Sequence, residues 1–584
     1  MNKILVFVKK LYTHILNLLF PQTPGFWSSK DTICLGSLTA VFTLLVFFRL
    51  GNFHAPESCY TADSSNRDIV LDFGDYIDIS SFSVFLGNLN TRHFSLSAFN
   101  ELTGSWEVIN GEAVAESVFA WNKIDINYNL RYLGIVCTDE QTVINELAAQ
   151  APDGSLLLPV NYADYPELFD EQDVFPGIKT YMNGTMFDEV YHGRTAYEFL
   201  HGLTTYETTH PHFGKILISL GILLFGMTPF GWRFMPAFFG ILILPLMYLF
   251  AKRLFKDTCI STAVTALLAF DCMHYTLSRI ATIDIFAAFF ILLMYYYMYQ
   301  YIQKDHQYRR SGACSTDTFP PRYVYTPLAL CGISMAFGVA TKWTGVYAGI
   351  GLALLFFWHT LFHFPKKQVL RLFGFCCVFF ILIPLIIYTL CFIPVVGYSP
   401  YKNLIDKVVQ GTIYMFDYHS TLVAEHYYSS PFYEWPVNWM PLLYANDAVT
   451  ADKVSSISCM GNPAIWWAGI PCVFYVFFRW IFKRDKKARF LCIAYMAQYV
   501  PWMSISRITF IYHYFPAIIF VMLMMGYTMQ HIKESFSWGK KAITTYLVIA
   551  ILCFFLFFPV VSGLPVSREW GLHLRWLKDW ILVL

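Results

Sequence analysis

Two adjacent carboxylates, Asp188 and Glu189, open the run FDEVYHGRTAYEFL at 187–200, and THPHFGK follows at 209–215 with His210 and His212 around a proline. A carboxylate can take the proton of an attacking hydroxyl, and a histidine beside it can orient a substrate. Elsewhere stand Arg233 in GWRF, Arg279 and Asp284 in SRIATID, Lys342 in TKWTG, and Arg507 with His513 in SRITFIYHYF. Arg and Lys hold phosphate best at low dielectric. Together these groups suit an anionic lipid headgroup with a base beside it. Trp435 in FYEWPVNW and Trp466 in GNPAIWW add flat aromatic faces of the kind that anchor at the membrane interface. Asp188, Glu189, His210 and His212 could supply metal ligands, but no spacing sets a geometry, and no metal is expected. No glycine-rich phosphate loop is evident, which argues against a nucleotide ligand.

The elements that must position these groups are membrane helices. Of the 584 residues, 56% are hydrophobic and only 14% charged, with a mean hydropathy of +0.46. Several apolar runs reach the ~20 residues that span a bilayer, and they are continuous rather than alternating, which indicates helices and not a barrel. The net charge of +1 gives no reason to expect nucleic acid as a partner. Eleven spans are predicted, at 32–50, 232–251, 258–275, 282–301, 325–341, 345–362, 372–393, 464–482, 490–505, 510–530 and 542–562. Residues 1–31 read as a cytoplasmic amphipathic segment. With the N-terminus cytoplasmic, every even-numbered turn is basic. Lys252, Arg253 and Lys256 follow the second span, and Lys304, Arg309, Arg310 and Arg322 the fourth. Lys366, Lys367 and Arg371 follow the sixth, KRDKKAR at 483–489 the eighth, and Lys533, Lys540 and Lys541 the tenth. The positive-inside rule then puts the long first loop, with Asp188 and Glu189, outside the cytoplasm.

That first loop is composite. Segments such as DIVLDF, HFSLSAFN, SWEVI and RYLGIVC alternate like short strands and predict a small β-sandwich at 55–150. The order of its motifs resembles a discoidin-type jelly roll, a module that often binds sugars; carbohydrate binding and a purely structural role remain open for it. Cys59 and Cys137 flank the module in an oxidising compartment, so a disulfide between them is one expectation.

FDEVYHGRTAYEFLHG, THPHFGKILISLGILLFG, GWRFMPAFFG, SRIATID, ATKWTGVY, FYEWPVNW, GNPAIWW and PWMSISRITFIYHYFPA, in that order, resemble the protein O-mannosyltransferase family of bacterial type, a branch of the C-type membrane glycosyltransferases. The resemblance runs from about 187 to 530, over half the chain. His212 departs from it, standing where the family more often has a second proline. The stretch 397–462 is also too short for the sugar-binding repeat domain of the eukaryotic enzymes. The expected fold is therefore mainly α, polytopic and of GT-C type, with the β insert in the first loop. The expected units are 1–31, the first span 32–50, the insert 55–150, a membrane core 180–530 with a catalytic segment 187–233, and a last span with an extracytoplasmic tail 531–584.

The resemblance implies transfer of a mannosyl or other hexosyl group from a polyprenyl-phosphate donor to Ser/Thr hydroxyls of a translocating protein, with inversion. No cofactor is required. Asp188 is the expected base and Glu189 its catalytic neighbour. Arg233, Lys342 and Arg507 would hold the donor phosphate, and Arg279, Asp284, His210, Trp435 and His513 would position donor or acceptor. The expected site of action is the outer face of the plasma membrane, with membrane lipids as surroundings. Two other readings stand beside this one: a lipid-linked-sugar transferase acting on a glycolipid or envelope glycan, and a carbohydrate-sensing receptor or transporter. A transporter should show related halves with broken helices at the midplane, whereas here the polar residues crowd one face.

Overall fold

The computed structural model describes residues 26–87, 91–311, 321–361 and 366–584. Most of the predicted N-terminal amphipathic segment lies outside them. Among the described residues, nine helices are long and apolar enough to cross a membrane: Ser29–Phe47, Pro229–Phe255, Asp284–Arg310, Arg322–Thr341, Thr344–Leu361, Gln368–Leu390, Pro463–Lys483, Ile511–Ser535 and Gly539–Ser562. The chain is a multi-pass membrane protein. The other two predicted spans are shorter. At 258–275 the chain breaks into Thr258–Ala269 and Cys272–Leu277, because Asp271 turns its carboxylate onto the His274 N–H at 3.1 Å and caps the second piece. At 490–505 the helix Lys486–Tyr499 ends ahead of Pro501, and a 3-10 turn Val500–Ser504 follows.

Buried polar groups tie the bundle at both ends. On one side Asp31, fully buried, caps its own helix through Ser28 and accepts from Tyr248 Oη and Lys252 Nζ, both at 2.8 Å. On the other, Arg279 donates to the carbonyls of Phe48, Arg49 and Ser562 at 2.7–2.9 Å. A guanidinium there meets the unsatisfied carbonyls that end the first and last long helices. The turn Ser278–Asp284 therefore shares a side with those two helix ends.

The β insert is a single sheet rather than two stacked ones. Strands β1 (Tyr60–Ala62), β2 (Asp68–Leu86), β3 (Arg92–Asn100), β4 (Ser105–Ala115), β5 (Ala120–Cys137), β6 (Thr142–Gln150) and β7 (Leu156–Leu157) run in the order β1-β6-β2-β5-β3-β4, with β7 beside β6. The reason is strand length. β2 and β5 have 19 and 18 residues and pair along their whole run, with register shifts at Asp72/Ile77 and Ile79/Ser81. Such irregularities bend a strand and increase its twist, so one ribbon serves both walls. β3 extends one end of it and β6 the other. Ile69, Leu71, Phe82, Leu96, Leu133 and Ile135 fill the curl. The expected Cys59–Cys137 disulfide is absent: both are free thiols, with Cys137 buried in this core and Cys59 exposed.

Two features of the late loop were not anticipated. The amphipathic helix Leu404–Thr421 starts at the Asn403 cap, and a three-stranded sheet joins Leu442–Ala448, Lys453–Cys459 and Pro565–Ser567. Through that sheet the C-terminal tail folds back onto the loop, where buried Trp580 donates to the Asn438 carbonyl at 2.8 Å.

Candidate active site

Asp188 is the N-cap of the helix Glu189–His201, which ends at Gly202 in the left-handed conformation, φ 64°. Just before it, Phe187 has φ 47°, a region that costs a bulky residue of order 1–3 kcal/mol. Its ring is held by stacking on Tyr444 at 5.0 Å and by edge contacts with Phe510 and Tyr512. This strained turn separates the fates of the two carboxylates. Asp188 faces a cavity of ≈ 790 Å³, and among the described residues no hydrogen bond engages its carboxylate. Glu189 points the other way and is fully buried.

The next segment folds back over the helix. Glu198 accepts from the Tyr206 N–H at 2.7 Å, and Thr195 Oγ1 from the Glu207 N–H at 2.9 Å. Glu207 then makes a close ion pair with Lys215, while His210 Nδ1 lies 3.2 Å and His192 Nδ1 3.9 Å from its carboxylate. Burial alone would raise Glu207, but Lys215 and the histidines hold it well below the usual carboxylate range. His192 and His210 are pushed down, chiefly by burial. This Glu207–Lys215–histidine cluster is absent from the sequence-based reading. Its signal was the short spacing in YETTHPHFGK, which sets Glu207, His210 and Lys215 within nine residues of chain.

Lys342, Arg507, His513, His210 and Asp188 all line the cavity, together with Tyr512 and His419. Lys342 pairs with Asp284 at 2.7 Å and lies over the Tyr512 ring. Arg507 is partly exposed, and no hydrogen bond or ion pair holds it among the described residues. His513 packs on Tyr512 and Trp502 with its Nδ1 at the Phe510 backbone. Burial pushes Asp188 up to about 7, with Asp284 adding to the effect and Lys342 opposing it.

Four expected assignments do not fit this geometry. Arg233 is not free for a phosphate. Its Nε and Nη2 bind Glu189 at 2.7 and 2.6 Å, and its remaining donors go to the carbonyls of Leu50, Tyr181 and Gly184. Glu189 is not free for chemistry, since it also accepts from the backbone N–H of Met186 and Ala281 at 2.9 and 3.0 Å. Arg279 is committed to helix-end carbonyls, as above. Trp435 is buried and donates to Ser430; it backs His513 from behind rather than meeting the cavity. His212 also lines the cavity; its ring is buried between Phe199 and Phe392, with neither nitrogen bonded.

Beside the polar cavity lies an apolar one of ≈ 870 Å³, lined by Met335, Val346, Ile350, Phe357, Phe380 and Leu385 from the helices Arg322–Thr341, Thr344–Leu361 and Gln368–Leu390. Tyr388 of the apolar cavity packs at 5.3 Å on Phe392 of the polar one, and Trp343 of the apolar cavity adjoins Lys342 in sequence.

Comparison with known proteins gives the same picture from another direction. Residues 223–396 match the family model "Dolichyl-phosphate-mannose-protein mannosyltransferase", and 404–580 match that of the "C-terminal four TMM region of protein-O-mannosyltransferase". A polyprenol-phosphate-mannose–protein mannosyltransferase of Mycobacterium tuberculosis is 26% identical over 461 residues, covering 68% of this chain and 86% of the relative. One from Corynebacterium glutamicum is 23% identical over 425 residues, 64% of this chain and 81% of that protein. The solved structure of the Saccharomyces cerevisiae Pmt1–Pmt2 complex bound to the sugar donor superposes with a TM-score of 0.58 at 14% identity, over 68% of this chain and 89% of the other, which shows a shared fold. The two family models, end to end over more than half of the sequence, and the shared fold lead to one conclusion: this chain belongs to the protein O-mannosyltransferase family.

Proposed function

We propose that this enzyme transfers a mannosyl or other hexosyl group from a polyprenyl-phosphate donor to Ser/Thr hydroxyls of a protein, with inversion, on the outer face of the membrane. The observation that carries the reading is the Asp188 carboxylate, unbonded among the described residues and open to a cavity that also holds Lys342 and Arg507 and that abuts an apolar groove between candidate membrane helices. The sugar phosphate would lie on Arg507 and Lys342, and the prenyl chain in the groove. The acceptor hydroxyl gives its proton to Asp188 as its oxygen forms the new bond to the anomeric carbon. The bond from that carbon to the phosphate oxygen breaks on the opposite side, and the polyprenyl phosphate leaves with the electron pair. Cations aimed at the leaving phosphate stabilise that growing charge. Glu207, anionic and fixed by Lys215, supports the elevated basicity of Asp188. The basic even-numbered turns support an outer location for this cavity.

Membranes containing the protein should label a Ser/Thr-rich peptide from radiolabelled polyprenyl-phosphate mannose. Label found only on glycolipid would replace the protein acceptor by the alternative one. The pH profile tests the base. Because Asp188 acts as the anion and titrates at about 7, log kcat/KM should rise with unit slope below that pH and level off above it. A flat profile across this range would remove a carboxylate base of this kind.

The groove makes a separate prediction. Ala353→Trp narrows it, so KM for the long-chain donor should rise about tenfold with kcat nearly unchanged, as for loss of uniform binding. A short-chain donor should be unaffected; equal losses for both donors would point to general damage instead.

A further inference from the structure

The β insert carries three carboxylates with no countercharge. Glu146 on β6 is fully buried. Asp170 and Glu171 come from the chain just after the 3-10 turn Pro166–Leu168. One oxygen from each of the three lies within 4.8 Å of the others. No ion pair reaches any of them among the described residues. Neutral donors orient two of them. Ser58 Oγ donates to Asp170 Oδ1 at 2.8 Å and lies 3.3 Å from Glu171 Oε2, and the N–H groups of Glu57 and Ser58 donate to Glu171 Oε2 at 2.8 and 3.1 Å. Glu146 Oε1 accepts from Gln172 Nε2 at 2.5 Å and from the Glu171 N–H at 3.3 Å. Glu146 Oε2 is buried and has no hydrogen-bond partner among the described residues.

An orphaned carboxylate oxygen away from water is costly, and two more carboxylates beside it make the cost worse. A bound cation would remove the repulsion and supply the missing partner. We propose that Glu146, Asp170 and Glu171 form a binding site for a hard divalent cation, Ca²⁺, that ties the 166–175 segment to the sheet. The donor set is all oxygen, with no imidazole or thiolate, which disfavours zinc and copper. One ligand is buried, one half-buried and one exposed, leaving room for water on the open side; Ca²⁺ accepts such irregular shells, while Mg²⁺ demands a near-ideal octahedron. The clamped segment leads on to Phe175, whose ring packs on Trp121 of the sheet at 4.8 Å, and then to the strained turn at Phe187. A cation here therefore stiffens the approach to Asp188 without touching the reaction.

The test is calorimetric titration of CaCl₂ into the EDTA-stripped full-length protein at neutral pH, with MgCl₂ and ZnCl₂ titrated in parallel. One equivalent of Ca²⁺ should bind with a dissociation constant of about 10⁻⁴–10⁻³ M, the range of extracellular modules. Asp170→Asn, at an exposed position that spares the fold, should weaken it about tenfold or more, and Glu146→Gln should abolish it. Ca²⁺ should also slow hydrogen exchange of the 166–175 amides. No Ca²⁺ heat up to about 10 mM, tighter binding of Zn²⁺ than of Ca²⁺, or unchanged binding in Asp170→Asn would overturn the site.

Discussion

Asp188→Asn should label the acceptor peptide at least about a hundredfold more slowly than the wild type, the usual contribution of a positioned general base being 10²–10⁴. That loss corresponds to about 3–5 kcal/mol of barrier. The substitution is nearly isosteric and breaks no hydrogen bond among the described residues, because the Asp188 carboxylate makes none. Stability and donor affinity should therefore stay close to wild type, so the loss falls on kcat. Binding of the lipid donor, measured by displacement of a labelled polyprenyl phosphate, separates the possibilities. Slow turnover with normal binding supports the base. Wild-type turnover would take Asp188 out of the chemistry, and a loss confined to donor binding would make it a donor contact.

The neighbouring carboxylate should behave in the opposite way. Arg233→Leu leaves Glu189 buried with no countercharge, and it strips the donors from the carbonyls of Leu50, Tyr181 and Gly184. Breaking a buried, hydrogen-bonded pair from one side costs about 3–5 kcal/mol. The expected result is a large fall in thermal midpoint and in folded yield. The double variant Glu189→Gln/Arg233→Met should recover part of that loss, since the lone buried charge is gone. If Glu189 took part in the reaction instead, Glu189→Gln would hold the wild-type melting point and lose turnover. The two adjacent acids would thus be told apart by which quantity moves.

The difference between them was invisible at the level of the chain. Asp188 and Glu189 are neighbours of similar chemistry, and each was expected to act in the site. What divides them is the backbone at Phe187, whose positive φ is set by aromatic packing from Tyr444 in the late loop and from Phe510 and Tyr512 further on. The cations divide in the same way. Arg233, 44 residues from Glu189 in the chain, is its buried partner. Arg507, more than 300 residues from Asp188 in the chain, arrives in the cavity with its guanidinium uncommitted among the described residues. No local pattern distinguishes a paired arginine from an unpaired one.

The sequence by itself determined that the chain spans a membrane many times, because continuous apolar runs of bilayer length admit only helices. It also determined the family resemblance, through ordered motifs, and the residue at which to look for a base. It placed strands in the first loop from alternation alone. Only the tertiary structure decided that those strands make one curled sheet, that Cys59 and Cys137 stay apart, and that two predicted spans are short or broken. It alone decided which charged groups face the cavity and which are spent holding the bundle. The physical reason is common to these cases. Hydropathy and spacing are local quantities, whereas the burial of a charge, the partner it finds and the wall it faces are set by segments far away in the chain that pack against it.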